Sequence, residues 1–147
     1  MILIAHRGNI EGKNKLRENK IDYILEALEQ GYDVEIDIRF IKNCGEYFLG
    51  HDEAQEICPN EILYSKNTWV HAKDIYTFKR LLDIEISNSF FHTNEDVVLT
   101  SSGYLWTYPG KTLTVRSIQV MPEYVGEEFS EIPYGICSDW VKKYRNS

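Results

Sequence analysis

The sequence predicts an α/β fold, and within that class a reduced TIM barrel from which several outer helices are missing. Three observations lead there. Short aliphatic runs that suit buried strands alternate with amphipathic stripes in the first half of the chain. Polar and charged residues collect where those strands end. Up to eight strand candidates fit into one domain of 147 residues, whereas a full barrel of this type uses about 250.

The first strand is Ile2 to Ala5, uninterrupted and aliphatic, closed by His6-Arg7-Gly8. Asn19 is placed to cap a helix whose stripe is Ile21, Ile24, Leu25 and Leu28, with Gly31 as its stop. Asp33 to Phe40 alternates strictly. Val34, Ile36, Ile38 and Phe40 face one way; Asp33, Glu35, Asp37 and Arg39 face the other. Asn43-Cys44-Gly45 is a turn, and Glu46 to Gly50 returns antiparallel, which sets Asp37 or Ile38 opposite His51 or its neighbour. The hairpin lowers the number of parallel strands to nearer seven.

Thr68 to Ala72 is the next strand. Asp74 caps a helix that turns Ile75, Phe78, Leu81 and Leu82 inward. Ser89 to His92, Tyr104 to Tyr108, Ser117 to Met121 and Gly135 to Cys137 are further strands, and Asp139 is placed to cap a closing helix. Between Phe90 and Pro133 no helical period is found, so that side of the barrel is expected to be bare and to offer a homo-oligomer interface.

Composition excludes several function classes. The formal net charge of -7 repels phosphate backbones, which argues against nucleic-acid binding while leaving room for a local basic pocket. No apolar run approaches the ~20 residues of a membrane span, and Met1 to His6 lacks the charged start of a signal peptide. Cys44, Cys58 and Cys137 are odd in number and without metal-ligand spacing; they read as reduced packing thiols, which favours a cytoplasmic location.

The chemistry-bearing residues fall at one rim. His6 and Arg7 end the first strand, Glu35 and Asp37 share a face of the second, His51 follows the hairpin, and Lys73 follows Thr68 to Ala72. Two carboxylates at i, i+2 facing a barrel interior need a cation, and a divalent ion with oxygen ligands supplies one. Arg7 and Lys73 suit phosphoryl oxygens, although Arg7 can equally clamp Glu18. His6 and His51 titrate near neutral pH and can divide proton transfers as acid and base. His92, Trp106, Tyr108 and Glu123 are expected to ring the mouth, with Trp106 and Tyr108 as substrate contacts.

Taken together, Ala5-His6-Arg7-Gly8, Glu18-Asn19, Glu35-Ile36-Asp37 and His51-Asp52 resemble the opening pattern of glycerophosphodiester phosphodiesterases. Those belong to the larger group of barrels resembling phosphatidylinositol-specific phospholipase C. Trp69 to Lys73 falls where that family has a strand ending Glu-x-Lys, and Gly135 to Asp139 resembles its last strand. Segments around Phe90 to Thr93, Leu105 to Gly110 and Val120 to Glu123 are similar to a compact bacterial subgroup. The resemblance implies His6 and His51 as the acid/base pair, Glu35 and Asp37 as metal ligands, and Arg7 and Lys73 as phosphate contacts. It places the third metal ligand, acidic in the family, at His71. A nitrogen there shifts preference among Mg, Ca and Mn toward the softer ion.

The expected activity is therefore metal-dependent cleavage of a small glycerophosphodiester-like phosphate. The alternative is a non-catalytic barrel that binds a phosphorylated sugar or polyol. His71 discriminates the two: it is either turned to the carboxylates or turned into the core.

Overall fold

The computed structural model describes residues 1–126 and 131–146; four residues of the 90–133 segment lie outside that description. The strands are β1 (Ile2–His6), β2 (Asp33–Ile41), β3 (Glu46–Leu49), β4 (Glu56–Ile57), β5 (Thr68–Ala72), β6 (Ser89–Phe90), β7 (Val97–Leu99), β8 (Leu105–Thr107), β9 (Ser117–Val120) and β10 (Gly135–Ser138). The α-helices are α1 (Ile21–Glu29), α2 (Asn60–Leu63) and α3 (Ile75–Asp83). All ten strands join one strongly curled sheet, ordered β4-β3-β2-β1-β10-β9-β8-β7, with β5 paired to β2 and β6 to β5.

This corrects the expected TIM barrel. Seven strands are mutually parallel, but β2–β3, β3–β4 and β7–β8 are antiparallel, so the sheet is mixed. A TIM barrel follows each strand with a helix. Here α1, α2 and α3 all precede β6, and from β6 onward the described connections are turns, an antiparallel strand and 3₁₀ segments. The physical reason is length: β8 and β9 are joined by residues 108–116, too few for a crossover helix of ordinary size.

The core lies in two clusters. One gathers Ile24, Ala27, Val34, Ile36, Ile38, Leu81 and their neighbours between α1, α3 and the outer face of β1, β2 and β5. The other is built on Trp69, Phe90, Trp106, Ile118 and Cys137. The aromatic rings substitute for the absent helices: Trp106 stacks on Phe90 at 4.3 Å and lies 6.1 Å from Trp69. The stripe of α3 is narrower than the sequence suggests, because Ile75 and Leu82 are 65% and 47% exposed while Leu81 is buried. Asp74 caps α3 as expected, its carboxylate accepting from the Thr77 N–H at 2.7 Å. Asn19 does not cap α1; Lys20 holds that position without a side-chain bond. Asp139 starts no α-helix either, and residues Val141–Asn146 form a 3₁₀ segment. Cys58 and Cys137 are buried, but Cys44 is exposed in the hairpin turn, contrary to a packing role. Burial pushes the Cys58 thiol up to about 12. Among the described residues no helix is long and apolar enough to cross a membrane.

Candidate functional site

Register builds the site. In the parallel ladder β10–β1–β2, Ala5 pairs with Ser138 and His6 with Glu35, so Asp139, His6 and Glu35 form one row at the C-terminal ends of adjacent strands. Between β2 and β5, Asp37 pairs with His71, which gives a second row two residues further along. Side chains alternate along a strand, so Glu35 and Asp37 share a face, as do His71 and Lys73. The ladder continues as the Lys73 N–H donates to the Ile38 carbonyl at 3.0 Å.

The first row is an oriented imidazole. His6 Nδ1 lies 2.7 Å from Asp139 Oδ1, and the same oxygen accepts from Asn9 Nδ2 at 2.8 Å. Asp139 is acceptor-only when ionised, so Nδ1 carries a proton directed to it, and Nε2 faces Glu35 Oε2 at 3.8 Å. Burial works against the Asp139 charge, but the His6 and Asn9 hydrogen bonds outweigh it and hold the carboxyl below its usual range.

The second row is a charge cage. Asp37 is fully buried. Its Oδ1 lies 3.1 Å from His71 Nδ1 and 3.2 Å from Lys73 Nζ; its Oδ2 lies 3.0 Å from Arg7 Nε and accepts from Asn19 Nδ2 at 2.9 Å. Burial alone would raise the Asp37 carboxyl, but His71, Lys73 and Arg7 drive it well below the carboxylate range. Burial would likewise lower His71, and its bonds to Asp37 and Glu35 reverse that, leaving it raised. Arg7 and Asn19 reach Asp37 because both adopt left-handed backbone, at φ 53° and 59°. Such residues cost about 1–3 kcal/mol each and persist where surrounding bonds over-determine them. Here the Arg7 N–H bonds the Glu35 carbonyl at 3.0 Å, and the Asn19 N–H bonds that of Arg7 at 3.1 Å. Arg7 also clamps Glu18 at 3.3 Å, the structural pairing that the sequence offered as its alternative role.

His71 therefore faces the carboxylates. Its Nδ1 is 3.1 Å from Asp37 Oδ1 and 3.6 Å from Glu35 Oε1, and one donor atom from each of the three residues fits within 4.8 Å of the others. Metal–ligand bonds of ~2.1 Å put neighbouring donors roughly 3.0–3.4 Å apart. Asp37 and His71 already stand at that spacing, Glu35 and His71 lie slightly beyond it at 3.6 Å, and once His71 gives up its proton the O, O, N donor set suits Mn²⁺ better than Mg²⁺ or Ca²⁺.

Glu35 and His71 line a cleft of about 450 Å³, and Asp37 lies behind them, fully buried and outside the lining. His51 lines it from the opposite rim. Asp37 stands opposite Gly50, whose N–H it accepts at 3.1 Å, so His51 begins one residue beyond the hairpin ladder. Its side chain is 40% exposed, with Nδ1 2.8 Å from Asp52. The loop is set by Gly50 at φ 145°, where an added Cβ would lie 1.8 Å from the Glu53 carbonyl oxygen. The Arg39 guanidinium secures it by donating to the Gly50 and His51 carbonyls.

Trp106 and Tyr108 line the cleft as expected. Tyr108 meets His92, which stacks on His71 at 4.7 Å, so the aromatic wall abuts the cage. Burial and the nearby charges of His71 and Lys73 lower His92 and keep it neutral; burial and Glu35 raise the Tyr108 phenol. Glu123 is not part of the lining; it accepts from the Ser138 hydroxyl at 2.9 Å. The sequence reading missed Asp139 as the partner of His6 and Asn9 as the partner of Asp139, the Asn19–Asp37 bond, and Lys13, Met121 and Tyr124 in the lining. For Asp139 a signal existed, a carboxylate just past a strand adjacent to β1; for Lys13 there was none. Comparisons of the chain with protein-family models, with curated proteins and with solved structures returned no match.

Proposed function

We propose that the protein is a metal-dependent phosphodiesterase that cleaves a small glycerophosphodiester-like organic phosphate, as the resemblance of its opening residues to glycerophosphodiester phosphodiesterases implies. The observation that carries the reading is the meeting, at one cleft, of an imidazole oriented by a carboxylate and a Glu35–Asp37–His71 trio whose donor atoms lie within 4.8 Å of one another. The orientation of His71 toward Glu35 and Asp37 favours this reading over a purely binding role.

Glu35, Asp37 and His71 would hold the divalent ion, which when bound supplies electrostatic stabilisation of the phosphoryl oxygens. His6, with Nδ1–H directed to Asp139, presents Nε2 to the cleft and can take a proton from an attacking hydroxyl or water or return one to a leaving alkoxide. His51, on the facing rim, takes the complementary transfer. Arg7 and Lys73 keep Asp37 ionised and contribute positive potential to the floor. Tyr108, neutral, and the rings beside it wall off water on the far side.

The test is metal titration of chelator-treated protein by calorimetry, followed by a screen of glycerophosphodiesters and nucleotide-linked diesters with Mg²⁺, Mn²⁺ and Ca²⁺. Metal-dependent release of an alcohol supports the assignment. Binding of phosphorylated polyols without turnover under any metal would replace it with the binding role.

A further inference from the structure

Arg7 and Lys73 are the cations that a sequence reading assigns to the phosphate, yet both are committed to carboxylates. Arg7 Nε is 3.0 Å from Asp37 and its NH1 3.3 Å from Glu18; Lys73 Nζ is 3.2 Å from Asp37. A charge already paired at that distance has little attraction left for a second anion. The third cation in the cleft lining is Lys13, which is exposed and forms no ion pair among the described residues.

Lys13 is not on a loose loop. On one side the Gly12 N–H donates to the Asp139 carbonyl at 2.8 Å, and Gly12 packs so closely on Trp140 that an added Cβ would lie 2.9 Å from the indole ring. On the other side the Asn14 N–H donates to Asn9 Oδ1 at 3.1 Å, and Asn9 in turn bonds Glu18 and Asp139. Both backbone neighbours of Lys13 are therefore tied to the residues that orient His6. Lys13 lines both the main cleft and an adjoining hollow of about 300 Å³, which shares Arg7, Lys13 and His51 with it and adds Lys15.

We propose that Lys13 is the substrate-binding cation of this site: it donates to a non-bridging oxygen of a phosphate bound in the cleft that Glu35 and His71 also line. This deepens the phosphodiesterase reading and rests on it for turnover, but not for binding. The role is in positioning and selection. An ammonium on a flexible stem donates to a tetrahedral phosphate oxygen without the planar fork that a carboxylate prefers, and its charge selects anionic phosphodiesters over neutral esters.

The experiment compares wild type, Lys13→Met, Lys13→Arg and Lys15→Met. Inorganic phosphate is titrated into Mn²⁺-loaded protein by calorimetry, and kcat and KM are measured on the best diester found. For Lys13→Met the expected result is a rise of about five- to tenfold in the phosphate Kd and in KM, with kcat changed less than twofold, the size of one charge-assisted contact. Lys13→Arg should recover part of the loss, and Lys15→Met should match wild type. Mn²⁺ affinity should be unchanged in all four. A Lys13→Met protein with wild-type phosphate Kd and KM overturns the proposal, as does a wild type that binds no phosphate. If no diester is turned over but phosphate still binds through Lys13, the subsite stands and the phosphodiesterase reading fails. The two failures are thereby told apart.

Discussion

Replacing Asp139 separates two ways in which it serves His6. Its Oδ1 accepts from His6 Nδ1 at 2.7 Å and from Asn9 Nδ2 at 2.8 Å. In Asp139→Asn the Asn9 amide still demands an oxygen at that place, so the new carbonyl stays turned to both donors and the Nδ1–H tautomer survives. What goes is the charge. A charge-assisted bond is roughly twice as strong as a neutral one, so stability falls by about 1 kcal/mol, or roughly 2–4 °C in Tm for a domain of this size. Turnover falls because the imidazolium formed in proton transfer loses its counter-charge. Asp139→Ala removes the acceptor, frees the ring to adopt either tautomer, and should cost much of the ~10²–10⁴-fold that general acid or base help is worth. The Asn variant should retain clearly more activity than the Ala variant. Acid sensitivity gives an independent check. The folded Asp139 pKa lies below its unfolded value, so its stabilisation is whole above pH ~3.9 and drains away as pH falls through the folded value. Wild-type and Asp139→Asn melting curves should differ near neutrality and converge at low pH. Tautomer-sensitive NMR of the ring nitrogens reads the geometry directly. A wild-type His6 protonated on Nε2, or an Ala variant with more than about half of wild-type turnover, would refute the reasoning.

Three further outcomes are expected. His6→Ala and His51→Ala should each lose nearly all turnover with circular dichroism unchanged, and retention of more than about half the activity in either removes that residue from the acid/base pair. A chelator should abolish activity and Mn²⁺ restore it at least as well as Ca²⁺; Glu35→Gln should weaken binding strongly and His71→Ala less, while divalent affinities no tighter than millimolar, about 4 kcal/mol, would end the metal assignment. Gly50→Ala drives a Cβ into the Glu53 carbonyl at a backbone angle that L-residues avoid; His51 should be displaced and activity should fall more than stability, so wild-type turnover in a folded Gly50→Ala protein would place His51 outside the site.

What was legible beforehand follows physical range. The β1, β2 and β3 segments announce themselves through local patterns, and the i, i+2 spacing of Glu35 and Asp37 dictates a shared face whatever the topology. The hairpin fixed the position of His51 to within one residue. Beyond that, local signals fail. Strand β4 is two residues long and exists only through its hydrogen-bonding partner, so no propensity reveals it, whereas β6, equally short, lies within the expected Ser89 to His92 strand. Asn19 reads as a helix cap because its type and position suit one, but a buried carboxylate 2.9 Å away outbids the exposed N–H groups of α1. Leu82 satisfies the period of α3 yet is 47% exposed, because a helical period marks a stripe without saying how wide a face the neighbouring elements cover. The barrel itself was inferred by counting strands, a sum that says nothing about which connections carry helices.

The partner of His6 is 133 residues away, and β1 sits inside the sheet between β2 and β10. During synthesis at about 5–20 residues per second, β1 therefore waits roughly 7–27 s for its second neighbour to be made. Joining ends that far apart costs about 4 kcal/mol of chain entropy by the length-dependent term alone, and no local contact can prepay it. The Glu35–Asp37–His71 trio spans only residues 35 to 71 and can assemble early. The oriented imidazole cannot. If the proposed roles hold, nascent chain would acquire the capacity to gather cations well before it has the means to move a proton, and a product truncated ahead of β10 would bind without catalysing.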